Sequence, residues 1–300
     1  MAGEPRVIAP PVTGWAPGRR KGLWSLLGRF VRRNPSMAAG IGVVVVMLLL
    51  SVMAPLIVER DPQAIDPVHR LHAPSREYPF GTDHLGRDIY SRTIYGGRVS
   101  LLVGSAVALL SMACGVFFGL LSGYFKRVDA IVMRVMDGIM AFPALLLAIA
   151  LVALLTASMQ NVIIALTVVE TPRATRVVRA AVLSLVGRDF VEAARALGAG
   201  APRILLRHIL PNTIAPLIVQ GSFIFAAAVL TEASLSFLGA GTPPTIPSWG
   251  NIMGEGRQYI QRAVWVTFFP GLFLSVTVLG INLIGDGLRD ILDPRLARRM

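Results

Sequence analysis

The sequence predicts an all-α integral membrane protein with six transmembrane helices. Its composition, the length of its apolar runs and the placement of its arginines carry that reading. Of 300 residues, 54% are hydrophobic and 15% charged, against roughly 25% charged in soluble domains. Mean hydropathy is +0.64. The net charge of +12, from 29 Lys+Arg against 17 Asp+Glu, would suit nucleic acid only on a water-soluble face. Here the basic residues lie between apolar runs, so the expected partner is a lipid bilayer and no nucleic acid. The lone cysteine, Cys114, sits within an apolar run, which excludes an intrachain disulfide framework and a cysteine-rich metal site.

A span needs about 20 mostly apolar residues. Residues 37–58, 99–121, 214–235 and 264–284 qualify directly, and the shorter 139–156 is nearly uncharged. The first span is too long for a signal-peptide core and begins well into the chain, so it reads as a retained anchor helix. The run 161–169 is apolar, but Glu170, Arg173, Arg176 and Arg179 then intrude. Loop charge decides its status, because cytoplasmic loops are enriched in Lys and Arg. The N-terminal arm carries Arg19, Arg20, Lys21, Arg29, Arg32 and Arg33, and residues 173–207 carry seven arginines against Asp189 and Glu192. Both belong inside, so an even number of spans separates them and 161–178 must cross. Residues 59–98, with six basic and six acidic groups, and 236–263, with only Glu255, Arg257 and Arg262, fall outside. The tail, with Arg289, Arg295, Arg298 and Arg299, returns inside. The expected organisation is a basic cytoplasmic arm (1–35), an anchor helix with an extracytoplasmic loop (36–98), a core of the remaining spans (99–286) holding a cytoplasmic loop at 188–211, and a cytoplasmic tail (287–300). Both termini are then cytoplasmic.

The spans are nearly free of charge, so each exception is a candidate pathway residue. Glu170 precedes Arg173 by three residues and can pair with it on one helix face; a direct role in translocation is the alternative. Glu232 is expected near the outer end of the fifth span, within reach of water. No chain of acidic or histidine residues crosses the membrane, so a proton relay is not expected. The two lysines, Lys21 and Lys126, stand outside any Gly-x-x-x-x-Gly-Lys-Ser/Thr loop, and neither a Gly-x-Ser-x-Gly elbow nor His-Glu-x-x-His occurs. No catalytic residue is assigned, and the chain is not expected to be an enzyme. His69, His72 and His84 with Asp66 and Asp83 could be drawn as an outer metal site; solvated loop residues are the preferred reading, and no metal is assigned.

The stretch from Asp189 to Pro211 is the most informative. Ala, Glu, Arg and Leu favour a short helix, with Phe190, Ala193, Ala194 and Leu197 at helical spacing as one small apolar face. Gly198, Gly200 and Pro202 then stop it. A basic amphipathic stretch from Arg203 leads to Leu210, Pro211 and the fifth span. The stretch reads either as an interfacial helix-turn-helix on the inner leaflet or as a knob presented to a soluble protein.

These residues resemble the Glu-Ala-Ala loop of bacterial ABC-type import permeases. Glu192, Ala193, Ala194, Gly198, Leu210 and Pro211 match the pattern, while its isoleucine comes one position late as Ile209, leaving His208 in the expected place. Residues 80–92 (FGTDHLGRDIYSR) with 96–101 (GGRVSL), 235–250 (LSFLGAGTPPTIPSWG) and 285–294 (GDGLRDILDP) are similar to signatures of the dipeptide/oligopeptide/nickel permeases. The similarity covers about residues 25–296 and is closer to the C-type subunit than to its B-type companion.

The resemblance implies a type I ABC importer permease fold and a pore-forming subunit with no nucleotide site of its own. It makes Glu192, Ala193, Ala194 and Gly198 part of a coupling helix that enters a groove on an ATPase. It further implies a second homologous permease forming a heterodimer, two cytoplasmic ABC ATPase subunits that use ATP and magnesium, and an extracytoplasmic solute-binding protein. The expected place is the bacterial inner membrane, and the expected solute a di- or oligopeptide. Nickel, glutathione or another small polar solute carried by the same architecture stays open. From a different class, a membrane scaffold or signalling protein that recruits a cytoplasmic partner is also open.

Overall fold

The computed structural model describes residue 31 and residues 34–292. The expectations for the basic arm up to Arg33, and for Arg295, Arg298 and Arg299, lie outside the described residues. Among the described residues there is no strand, only an isolated antiparallel bridge between Thr82 and Asp88.

Helix α1 (Pro35–Val52) is the anchor. It packs along α9 (Trp265–Leu292), where a Cβ on Gly40 would lie 2.6 Å from the Gly280 carbonyl oxygen. Helix α2 runs from Ile89 to Tyr124. It starts ten residues before the apolar run because Asp88 caps it, its carboxylate accepting the Tyr90 and Ser91 N–H groups at 3.3 and 3.1 Å. At 1.5 Å per residue its 36 residues are about 54 Å long, so one end stands clear of a hydrocarbon core about 30 Å thick.

The third expected span is corrected. Ile139 and Met140 belong to α3 (Lys126–Met140), which is bent by 92° from α4 (Ala144–Leu155). Pro143 lies at the break, and proline disfavours the helical conformation in the residue before it, Phe142. The 12 residues of α4 rise only about 18 Å. Helix α5 (Met159–Leu185) is the doubtful fourth span. Its 27 residues reach about 40 Å, enough to cross, although its charges keep it from qualifying on hydropathy. Four helical runs do qualify: α1, α2, α9 and Ala201–Phe237, which ends in α7 (Leu210–Phe237); the bent α3–α4 pair would be a fifth.

Helices α2 and α5 form the centre of the bundle. Gly115, Gly119 and Gly123 present bare backbone to Ala174, Val178 and Val182, a spacing of four on both helices. Absent side chains let the axes approach closely, the usual device where lipid supplies no hydrophobic drive for association. The helix α6 (Asp189–Ala196) sits at the arginine-rich end, and α8 (Trp249–Gly256) at the opposite end.

Helix α8 folds back onto the bundle. Ser248 caps it by accepting the Asn251 N–H at 3.2 Å, and the Trp249 indole N–H donates to the Thr93 carbonyl at 2.9 Å. Beneath it Glu232 is fully buried, accepting hydrogen bonds from Ser236 at 2.8 Å and Ser100 at 3.2 Å. The expectation that water reaches Glu232 is therefore overturned. The loop after α7 and the turn into α8 roof it over with Thr242, Ser248 and Trp249, all buried.

Candidate functional site

At the arginine-rich end, α6 rests on a buried seat. Val191 and Ala194 point inward against Val178 and Val182 of α5 and against Ile204, Leu205 and Ile209. Phe190 is 41% and Leu197 88% exposed, and Glu192 and Ala193 also face outward. The single apolar face expected for Phe190, Ala193, Ala194 and Leu197 is thus divided. Ala194 serves the seat, and the other three are presented to whatever lies beyond the chain. Asp189 and Glu192 in the first turn and Arg195 in the last suit the helix dipole.

Gly198 ends the helix with φ +79°. The Ala199 N–H donates to the Ala194 carbonyl at 3.0 Å and the Gly198 N–H to Arg195 at 2.9 Å, the paired bonds of a Schellman cap. A Cβ at Gly198 would meet nothing within 4 Å, so backbone conformation rather than space calls for glycine there.

Pro202 opens the next helical turn, and residues Ile204–Ile209 form a π-helical turn that runs on into α7. The wider turn spares Pro211, which lacks an N–H and would crowd a carbonyl four residues back in an uninterrupted α-helix. It also stacks Ile209, rather than His208, over Ile204. Ile204, Leu205 and Ile209 are buried, while His208 turns to a concavity of about 590 Å³ between this turn and α6. The late isoleucine of the sequence pattern therefore reaches the core through a change of helical phase. Leu210 packs at the margin of the same core, and Pro211 is exposed on the first turn of α7.

Glu170 and Arg173 pair as their spacing suggests: Arg173 Nη1 donates to Glu170 Oε2 at 3.3 Å, with Glu170 buried and Arg173 half-exposed. The next two arginines of α5 bind acids of α3. Arg176 donates to Asp137 at 2.6 Å, and Arg179 grips Asp129 through Nε and Nη2 at 2.5 and 2.7 Å. The sequence reading missed α3 as the partner, since the residues joined are 39 and 50 positions apart.

At the opposite end the metal reading meets a different chemistry. Asp66 accepts from His69 at 2.6 Å, and His69 and His72 meet edge-on, each tilted against the ring of Tyr78. Asp83 departs from the expected solvated loop residue, being fully buried. It receives Arg87 Nε at 2.6 Å and Arg92 Nη1 at 2.5 Å, and both arginines also reach Glu255 of α8. Asp83, His84 and Glu255 offer ligand atoms within 4.8 Å of one another, but two guanidinium groups already balance the two carboxylates. Burial pushes the Asp83 carboxyl up; Arg92, Arg87 and the backbone N–H groups of Leu85 and Arg87 outweigh it and hold the group below its ordinary value. Tertiary structure has made a latch between the segment before α2 and α8.

Residues 115–298 match the family model described as binding-protein-dependent transport system inner membrane component. A putative peptide transport system permease protein of Brucella abortus is 46% identical over 289 residues, covering 96% of this chain and 98% of that protein. A probable peptide ABC transporter permease protein of Sinorhizobium fredii is 49% identical, covering 90% and 93%. A glutathione transport system permease protein of Pectobacterium atrosepticum is 40% identical, covering 89% of each. Among solved structures, a chain of the inward-facing MetNI methionine ABC transporter is similar in fold, with TM-score 0.57 and 21% identity over 67% of this chain and 96% of that one.

Proposed function

Because this chain belongs to the family of binding-protein-dependent transport system inner membrane components, we propose that it forms one side of the pore of an ATP-driven peptide importer. It is a multi-pass membrane permease of the type I ABC importer fold. In this reading the arginine-rich end, with α6, faces the cytoplasm and α8 faces outward, following the bias of arginine toward cytoplasmic loops. ATP and magnesium are used by two partner ATPases, a second homologous permease completes the pore, and a solute-binding protein delivers the solute to the outer face.

The observation that carries the proposal is the presentation of α6. An eight-residue helix held by Val191 and Ala194, offering Phe190, Glu192, Ala193 and Leu197 outward, suits a chain that must receive mechanical work from a partner. Peptide as the solute rests on the Brucella and Sinorhizobium relatives, named as peptide permeases. Glutathione is the second reading, supported by the Pectobacterium relative.

The test is Glu192→Lys and Gly198→Val in the full complex. A β-branched residue at φ +79° costs about 1–3 kcal/mol and tilts α6. Both variants should insert and still receive the binding protein, while solute-stimulated ATPase activity and uptake fall together. Uptake at the wild-type level in both would reduce α6 to a helix on the membrane surface.

A further inference from the structure

The arginines between 173 and 207 are unequally engaged. Arg173, Arg176 and Arg179 pair with acids. Arg188 donates to the Ser184 carbonyl, and Arg195 stacks over Tyr124. Among the described residues, Arg203, Arg207 and His208 take part in no ion pair. All three line the concavity of about 590 Å³ whose other wall is α6, and no carboxylate lines it.

The two walls belong to one surface. Phe190, Ala193 and Leu197 line the groove as well as standing exposed on α6, so a partner seated on them also covers the three basic groups. Covering the two guanidinium groups without an opposing charge removes their hydration for no return, and a partner lacking carboxylates would bind poorly. The π-helical turn makes the arrangement specific by keeping Ile209 in the core and His208 in the groove.

We propose that this groove receives acidic side chains of the ATPase subunit, which Arg203, Arg207 and His208 bind while Phe190 and Leu197 make the apolar contact. The proposal rests on the reading that α6 faces that subunit. It makes the contact two-signed: Glu192 offers the permease's negative charge on α6, and the groove beside it offers positive charge.

The experiment uses the full complex purified in lipid-free detergent, with ATPase retention measured against salt concentration. Arg203→Glu/Arg207→Glu should weaken retention about tenfold or more at ~0.15 M salt and flatten its salt dependence. His208→Gln should have a smaller effect in the same direction. Retention of the paired permease and an unchanged unfolding midpoint confirm that each variant is folded. Phe190→Ala/Leu197→Ala is the control for the parent reading. If that pair releases the ATPase while the charge reversal does not, the acidic contact is wrong and α6 still couples. Should neither variant weaken retention, the parent reading falls and the groove proposal with it. An effect of charge reversal seen only in bilayers containing phosphatidylglycerol would assign the groove to a lipid headgroup and overturn the proposal.

Discussion

Arg179 of α5 and Asp129 of α3 form a bidentate ion pair across 50 residues of sequence, at 2.5 and 2.7 Å. With Arg176 and Asp137 this pair straps α3 to α5. Helix α5 leads directly toward α6, so the strap joins the arm that carries α6 to the bent element beside it. Asp129→Asn should lower stability by about 1 kcal/mol, the scale for a partly exposed pair of good geometry. Charge-swapped Asp129→Arg/Arg179→Asp should recover part of that loss. Thermal unfolding in detergent measures it, and zero coupling in the double-mutant cycle would remove the strap as a structural element.

Glu170 and Arg173 are asymmetric partners, one buried and one half-exposed. Arg173→Ala leaves a buried carboxylate without its cation and should destabilise by about 1–3 kcal/mol. Glu170→Gln removes the charge to be paired and should cost less, and Glu170→Gln/Arg173→Ala should be milder than the sum of the two. Unfolding midpoints of the three variants decide it. Equal and additive losses would show that the pair is not coupled.

Asp83 gives the latch an acid limit. Its carboxyl is held below the ordinary 3.8 in the folded chain. Its contribution to stability is therefore complete above that pH and is lost as pH falls through the depressed value. Stability should be flat with respect to this group from pH 5 to pH 8. Asp83→Asn leaves Arg92 buried with only Glu255 for a partner and should cost about 3–5 kcal/mol. Proteolytic protection of residues 59–98, followed during acid titration, reports on the latch. The same acid midpoint in wild type and Asp83→Asn would assign the acid step to another group.

Orientation is read by labelling. Ser248 lies in the loop before α8 but is buried as its cap, so exposed Thr245 is the better probe. In a Cys114→Ser background, a cysteine at Thr245 should react with an impermeant thiol reagent in intact cells. One at Leu197, 88% exposed at the other end, should react only after the membrane is opened. The reverse pattern would invert the topology.

The amino-acid sequence by itself determined the helical class, the placement of most spans, the short helix after Arg188 and the need for glycine at position 198. Those features are local: apolar run length, arginine bias and a single backbone dihedral are properties of neighbouring residues. Apart from the local pair Glu170–Arg173, tertiary structure decided which charges meet. The arginines of α5 look like a defect in a span until α3 supplies Asp129 and Asp137. Asp83 looks like a loop carboxylate until Arg87 and Arg92 converge on it, held from the far side by Glu255, 163 residues beyond Arg92. The division of α6 into Val191 and Ala194 below and Phe190, Ala193 and Leu197 above likewise needs its neighbours. Helical spacing defines candidate faces but not their burial, which is set by α5 and the π-helical turn closing against one side. A buried charge is costly until a partner reaches it, and packing between segments remote in sequence supplies that partner.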